Sequence, residues 1–196
     1  MVVLAVLLLA IAASVTAAAG AEARCASSRP ASRQFADGPG DAGLGLAPEV
    51  VAVRMRVDRA CRLRVQPRFG DRGPTVGLFP NEGIAIYLDT DADVFTGARA
   101  WAGADVAVVS AGHLGARDVG PALGRWDGRT FRFARRRVLR DLGIGGFRAT
   151  LGELGVTAPA TLGVRVGTSW VGLRGIYRDF APDPGAPSYE LPLRFT

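Results

Sequence analysis

The residues with the clearest chemical potential are aspartates grouped around one short segment. An apolar run, Ile84 to Leu88, is followed by carboxylates at alternate positions and by one more downstream: Asp89, Asp91, Asp93 and Asp105. On an extended strand, alternate carboxylates share one face and repel each other. A loop that folds them around Ca²⁺ removes that repulsion, because the ion accepts about six to eight oxygen ligands. The spacing predicts a calcium site at Asp89, Asp91 and Asp105, with Asp93 or backbone carbonyls near Asp93 and Thr96 completing the shell.

The same spacing also fits a solvated acidic turn. In such a turn each aspartate accepts a hydrogen bond from a nearby backbone amide and no metal is needed. The segment is not an EF-hand, because it lacks the glycine after the third acidic position and the closing glutamate. From the residues alone, the calcium site and the acidic turn both stay open.

Few other side chains offer catalytic chemistry. His113 is the only histidine, which excludes a zinc site with several histidines, and its place between Gly112 and Leu114 favours a turn residue over the base of a catalytic triad. Asp89 and Asp91 stand too close together for the acid pair of a glycosidase, and Glu153 and Glu190 are isolated. We therefore expect a non-enzymatic protein, with a small hydrolase as the least favoured alternative.

The composition fits a globular domain of short strands. The chain has 196 residues, with 26 glycines and 12 prolines, and 48% of it is hydrophobic. The net charge of +6 is the balance of 24 basic and 18 acidic residues, and all the basic residues are arginine. An arginine-only pattern is typical of codon use in a GC-rich genome, so we expect no nucleic-acid partner.

The N-terminal residues predict export. Val2 to Ile11 carries no charge, small residues follow, and Ala17-Ala18-Ala19 and Ala21-Glu22-Ala23 are both A-x-A cleavage motifs. We expect residues 1–23 to be a signal peptide and the mature protein to be secreted, without a membrane span. A retained N-terminal anchor is the alternative, because no basic residue precedes the run and its length approaches that of a membrane span.

The remaining chain divides into an arm and one domain. Residues 24–47 lack periodicity and predict a flexible arm, and residues 48–196 form the domain. Cys25 and Cys61 are the only cysteines. In an oxidising compartment they are expected to pair and to tie the arm to an early strand, unless Cys25 is removed or free and Cys61 is a buried thiol.

Alternating patterns in the domain predict an all-β fold. Val51 to Val57 and Cys61 to Val65 alternate around Asp58-Arg59-Ala60, which predicts a hairpin. Further strands with turn signals between them predict a single antiparallel β-sandwich, jelly-roll-like, with short helices only near 136–142 and 152–154. In the hairpin, Arg56 is expected to face Arg62, and Arg54 to face Arg64. Such a face is either solvated, interleaved with acids from a neighbouring strand, or in contact with an anion.

The order of several motifs resembles a known family. The segments that carry the resemblance are Asp89-Thr90-Asp91, Thr96-Gly97, Gly103-Ala104-Asp105, Arg125-Trp126-Asp127-Gly128 with Phe131, and Arg178 to Gly185 with Tyr189. Across residues 49–196 their order is similar to that of secreted bacterial β-sandwich domains related to family 9 carbohydrate-binding modules and to DOMON-like domains.

The resemblance implies a jelly-roll-like sandwich with a structural calcium near Asp89, Asp91 and Asp105. It also implies a binding role, for which a glycan or another cell-envelope component is the expected partner. Sugar-binding members hold the sugar between two aromatic rings. Trp101 and Trp170 are the candidates here, although neither matches that pair by motif. A purely structural or protein-interaction domain without a small ligand is the main alternative.

Overall fold

The computed structural model describes residues 31–38, 47–71, 82–111, 119–134, 139–156, 161–172 and 175–193. The predicted signal peptide, Cys25 and His113 lie outside the described residues, so the expectations about them stay predictions. Cys61 is partly buried and packs against the core. Within the described ranges, no helix is long and apolar enough to cross a membrane.

Almost all regular structure in the described residues is β-strand. The strands are β1 (Ala31–Ala36), β2 (Val50–Val57), β3 (Arg62–Phe69), β4 (Glu82–Asp89), β5 (Val106–Ala111), β6 (Val119–Trp126), β7 (Phe131–Ala134), β8 (Arg140–Asp141), β9 (Phe147–Thr150), β10 (Thr161–Gly172), β11 (Gly175–Ala181) and β12 (Tyr189–Pro192). Two short helical pieces accompany them, a 3₁₀ turn (Arg99–Trp101) and α1 (Leu151–Leu154). A capping box between Thr150 and Glu153 begins α1.

The strands form two antiparallel sheets that pack as a sandwich. The five-stranded sheet has the order β1-β2-β3-β9-β8, and the seven-stranded sheet has the order β11-β10-β4-β5-β6-β7 with β12 also paired to β10. The central strands present alternate apolar residues to the interior, as period-two patterning requires. The core therefore lies between the sheets, with Met55, Leu63 and Phe147 on one side and Ile86, Val108 and Val164 on the other. The predicted all-β sandwich is confirmed.

The first hairpin is confirmed, but its predicted register is wrong. Arg56 faces Arg64, and Arg54 faces Gln66. The turn is longer than expected because the Asp58 carboxylate accepts hydrogen bonds from the backbone of both Ala60 and Arg62. Cys61 then takes a left-handed conformation, φ 54°. Including Cys61 in the turn moves the centre of the hairpin by one residue, so every partner on β3 shifts by two.

The arm predicted to be flexible contains a strand at Ala31–Ala36. This strand, β1, pairs with β2 along its whole length, from Ala31 opposite Val57 to Ala36 opposite Ala52. Its own alternation is weak, so the order comes from tertiary partners. The Phe35 ring stacks on that of Tyr189 with centroids 4.6 Å apart. The predicted helix at 136–142 is also wrong where it is described, because Arg140–Asp141 pairs with β9 as a strand.

Side-chain hydrogen bonds join the seven-stranded sheet to the start of β2. The buried Asp179 carboxylate on β11 accepts a hydrogen bond from the Val50 amide at 2.6 Å, across 129 residues of sequence. The Thr168 hydroxyl on β10 donates to the Pro48 carbonyl oxygen at 2.5 Å. Because both contacts are buried, they satisfy backbone groups that would otherwise lose their hydrogen bonds to water.

Phe147 provides a direct test of the core. Its side chain is 0% exposed between the sheets, whereas Phe133 is 50% exposed. Replacing a buried phenylalanine by alanine loses the transfer energy and leaves a cavity, so Phe147→Ala should cost about 3–5 kcal/mol of unfolding free energy. Phe133→Ala should cost much less. Urea unfolding of both variants measures the difference, and equal costs would contradict the proposed core.

Candidate metal centre and aromatic surface

The loop between β4 and β5 gathers the predicted carboxylates at one end of the seven-stranded sheet. Asp89 ends β4, and Asp105 stands immediately before β5, which pairs with β4. The Asp105 amide donates to the Leu88 carbonyl oxygen at 2.9 Å, which continues the ladder and places Asp105 beside Asp89. Asp91 stays close to Asp89 because the Asp89 carboxylate accepts hydrogen bonds from the amides of Asp91 and Ala92, which folds the chain back.

Asp89, Asp91 and Asp105 converge as the sequence predicted. One carboxylate oxygen from each lies within 4.8 Å of the others. Backbone and hydroxyl donors hold this arrangement: Asp89 accepts from the Ala92 amide at 2.8 Å, and Asp105 accepts from the Thr90 amide at 2.9 Å. Thr96 donates its hydroxyl to Asp91 at 3.0 Å. The loop therefore presents three carboxylates to one small volume.

Burial makes this arrangement electrostatically costly without a cation. Asp89 is buried, and this desolvation raises the pKa of its carboxyl group to about 6. Amide donors from Ala92 and Asp91 oppose the shift, and the charge of Asp105 adds to it. Among the described arginines, none donates a hydrogen bond to Asp89, Asp91 or Asp105. A cation at this point would supply the missing positive charge.

The three carboxylates fit a hard divalent cation. They offer only oxygen donors, the ligand type that Ca²⁺ and Mg²⁺ prefer, and they belong to one loop. Asp93, the fourth residue predicted from the spacing, is not part of this group. One oxygen of its carboxylate accepts from the Phe95 amide, and its carbonyl oxygen accepts from the Thr96 amide. In this structure Asp93 stabilises the turn.

Two glycines allow the loop to close and thereby fix Trp101. A Cβ at Gly97 would lie 2.0 Å from the Gly103 carbonyl oxygen, and one at Gly103 would lie 2.4 Å from the Cα of Val94. No other residue fits such an approach. Ala98 and Ala104 pair across the closed loop, and the 3₁₀ turn ending at Trp101 lies between them. The loop that gathers the carboxylates thus also carries the Trp101 side chain.

Trp101 belongs to a row of aromatic rings on the outer face of the seven-stranded sheet. Its ring stacks on that of Tyr87 with centroids 4.2 Å apart and planes 6° apart. Phe180 contacts Trp101 on one side, and Phe131 contacts Tyr87 on the other, with centroid separations of 5.6 Å and 5.9 Å. Trp126 extends the row beyond Phe131. We call these five rings the aromatic row.

A cavity of about 250 Å³ opens beside one end of the aromatic row. Its walls are the rings of Tyr87, Trp101 and Phe180 with exposed Val171 and Ile176, and Arg178 and Ser169 supply polar groups. Burial raises the pKa of the Tyr87 hydroxyl, and the charge of Arg178 opposes that rise. This pocket is apolar with a few polar groups, as small-ligand sites commonly are.

Trp170 does not join Trp101 at this pocket. Trp170 pairs with Glu82 on β4. It follows the buried Thr168 by two residues on β10, so both side chains lie on the core-side face of that strand. The ring that approaches Trp101 from β11 is Phe180. The sequence did not single out Phe180 or Tyr87, but their patterns carry a signal. Tyr87 alternates with the core residues Ile86 and Leu88, and therefore points outward.

Glycines opposite the aromatic row were also missed. A Cβ at Gly167 would lie 3.1 Å from the Phe180 ring, and one at Gly124 would lie 2.7 Å from the Phe133 ring. Both glycines face outward on strands that neighbour the aromatic strands. The rings can therefore lie flat over the sheet, which explains why glycines occur inside these strands.

No protein-family model, no curated protein and no solved structure matches this chain. The fold and the geometry of the loop and pocket are therefore the observations on which a function rests.

Binding of calcium should raise the melting temperature of the wild-type protein, and a chelator should lower it. An ion that binds only the folded state stabilises it by about 2.7 kcal/mol at 100-fold excess over its dissociation constant. Asp89→Asn and Asp105→Asn should abolish the response. Asp93→Ala should retain it, although it loses a turn contact, and exposed Asp141→Asn is a control. A melting temperature that ignores calcium and chelator would show that the loop is only an acidic turn.

The metal-free protein should lose stability as the pH rises through Asp89. The folded pKa of about 6 exceeds the ordinary aspartate pKa of 3.8, so the folded state binds the proton more tightly. The protonated Asp89 side chain contributes its full stabilisation below about pH 3.8, and this contribution is lost as the pH rises through about 6. Asp89→Asn has no such proton. The stability of Asp89→Asn relative to wild type should therefore increase from pH 4 to pH 7 in thermal melts, and a constant difference would contradict the effect.

Proposed function

We propose that this protein is an exported, non-enzymatic β-sandwich module that binds a glycan at the aromatic pocket, with Ca²⁺ at Asp89, Asp91 and Asp105. The observation that carries this proposal is the Trp101–Tyr87 stack beside an open pocket. The apolar N-terminal segment supports export, because it ends in small residues and A-x-A motifs. Such a module would hold a sugar without changing it.

The pocket chemistry suits a sugar ring. One face of a pyranose carries mainly C–H groups, and aromatic rings offer a flat apolar surface for it. The hydroxyl groups around the ring edge need hydrogen-bond partners, and Arg178 and Ser169 lie in the pocket lining. Phe180 and Trp101 are in contact, with planes inclined by 47°, and form one angled wall rather than a flat platform. A sugar unit packed against this wall would contact both rings.

The metal would act at a distance from the sugar. When bound, Ca²⁺ supplies positive charge that offsets the repulsion among the three carboxylates. The chain's own contribution is geometric. The loop that holds Asp91 also contains the Ala98–Ala104 bridge, and the 3₁₀ turn between those residues places Trp101 against Tyr87. Loss of the ion would loosen one wall of the pocket.

The order of motifs supports the same proposal. Asp89, Asp91 and Asp105 occupy the positions of the acidic motif that resembles family 9 carbohydrate-binding modules and DOMON-like domains, and they converge. The aromatic candidates differ from the expectation, since Tyr87 and Phe180 accompany Trp101 and Trp170 does not. The ligand-binding details of that family are therefore not carried over to this chain.

A protein partner is the second candidate function. Val171 and Ile176 are 52% and 57% exposed at the pocket rim, and exposed apolar side chains of this size are common at protein interfaces. A hydrolase has less support. The described residues that line the pocket include no carboxylate or histidine to act as a general acid or base.

Trp101→Ala should abolish or strongly weaken binding of neutral oligosaccharides. Removing one stacked wall is expected to reduce affinity about tenfold, equivalent to about 1.4 kcal/mol. Trp170→Ala is the matched control, because Trp170 lies on the core-side face of β10 and the pocket lies on the outer face. Isothermal titration against a panel of neutral oligosaccharides, with calcium and with chelator, measures the effect. Chelator should weaken binding by the wild-type protein.

Two results would count against this function. Trp101→Ala could bind an oligosaccharide as tightly as wild type, which would place the ligand elsewhere. Alternatively, no oligosaccharide of the panel could bind in the presence of calcium. In that case the exposed Val171 and Ile176 rim would favour the protein-interaction function, and pull-down with Ile176→Asp as a control would be the next experiment.

A further inference from the structure

Four arginines lie in one straight row across the outer face of the five-stranded sheet. Arg56 on β2 faces Arg64 on β3, Arg64 faces Arg148 on β9, and Arg148 faces Arg140 on β8. Residues directly opposite each other across a sheet share one face, so all four side chains project from the same side. We call them the arginine row. It lies on the opposite side of the sandwich from the pocket.

More arginines surround the arginine row. The alternation of β2 and β3 places Arg54, Arg62 and Arg68 on the same outer face. Of these, Arg62 is paired with Asp58 at 2.8 Å. The arginine row itself has no such compensation, since none of its four members forms an ion pair or hydrogen bond through its side chain with a described residue. Among the residues that the structure describes, the face is therefore a dense positive surface without acidic partners for the arginine row.

This arrangement has a cost that the fold does not offset. Like charges directly opposite each other across a sheet destabilise it, and here three consecutive pairs repeat the same repulsion. Glutamine or threonine at these positions would keep the polar surface without the repulsion. Functional surfaces commonly keep such locally unfavourable choices, because the ligand provides the compensation.

We propose that the arginine row binds a linear anionic glycan, a polysaccharide with a carboxylate on successive sugar residues. The inference does not rest on the proposed pocket function, because the two surfaces are on opposite sheets. Each guanidinium presents a planar fork of donors that matches a carboxylate in a bidentate contact. A polymer lying across the strands would meet the arginines one after another.

The spacing of the charges favours a uronic-acid type of polymer. Neighbouring strands lie about 4.8 Å apart, so the arginine row spans about 14 Å with one charge on each strand. This spacing is comparable with the length of one sugar unit and much wider than the charge spacing of duplex DNA, about one per 1.7 Å. A polymer with a carboxylate on each sugar therefore carries about as many charges along its length as the arginine row.

Nucleic acid fits this face less well. The outward-facing described positions of the five-stranded sheet include no aromatic side chain on which a base could stack. A sheet of this width cannot enter the major groove, which admits a helix or a two-stranded ribbon. A second copy of the chain is also disfavoured, since it would bring the same arginines and a net charge of +6.

The test compares two double variants with equal loss of charge. Arg64→Gln with Arg148→Gln removes the centre of the arginine row. Arg129→Gln with Arg132→Gln is the control, because both residues belong to the β6–β7 hairpin of the other sheet. Polygalacturonate is the probe, with a neutral glucan, polyphosphate and duplex DNA as competitors. Binding is measured by calorimetry at low and at moderate salt.

The proposal expects wild type and the control to bind polygalacturonate, with affinity that falls as salt rises. The variant of the arginine row should bind about tenfold more weakly or not at all, with a shallower salt dependence. Its melting temperature should equal or exceed that of wild type, because repulsion has been removed. A purely structural role for these arginines would lower the melting temperature instead. Trp101→Ala should leave this binding unchanged.

Three results would overturn the proposal. One is the absence of polygalacturonate binding by wild type at low salt. Another is equal weakening in the arginine-row variant and the control, which would mean that only net charge matters. The third concerns competition. If duplex DNA or polyphosphate displaced bound polygalacturonate at a lower concentration than free polygalacturonate does, the surface would be assigned to a phosphate polymer.

Discussion

Repulsion among three carboxylates is the constraint on which the loop between β4 and β5 depends. Asp89, Asp91 and Asp105 are held within 4.8 Å of one another by backbone donors, and burial raises the pKa of Asp89. A cation bound between them would offset this repulsion. Because the same loop positions Trp101, the stability of the acidic group and the shape of the aromatic pocket are linked.

The sandwich assigns different chemistry to its two outer faces. Apolar residues of both sheets fill the interior, so alternate positions on every strand are free to serve the outside. The seven-stranded sheet uses these positions for aromatic rings, which lie over glycines such as Gly167 and Gly124. The five-stranded sheet uses them for arginines. One core therefore supports an apolar surface and a positive surface without contact between them.

Both surfaces contain features that are unfavourable for the isolated fold. Ala92 and Ala102 take positive φ values in the acidic loop, a conformation that is costly for a residue with a Cβ. The arginine row repeats a like-charge contact across four strands. In contrast, the Val50 amide and the Thr168 hydroxyl, which join the sheets, are both hydrogen-bonded.

The sequence by itself determined the local features of this protein, and the tertiary structure decided which of them meet. Alternation predicted the hairpin and the sandwich, and acidic spacing predicted the convergence of Asp89, Asp91 and Asp105, because both depend on neighbours along the chain. Strand β1, the partner of Arg56 and the ring beside Trp101 were not predictable in this way. The left-handed turn at Cys61 set the hairpin register, and pairing between distant strands brought Phe180 to Trp101 and Arg148 to Arg64. Such contacts depend on strand order and register, which single-chain periodicity does not specify.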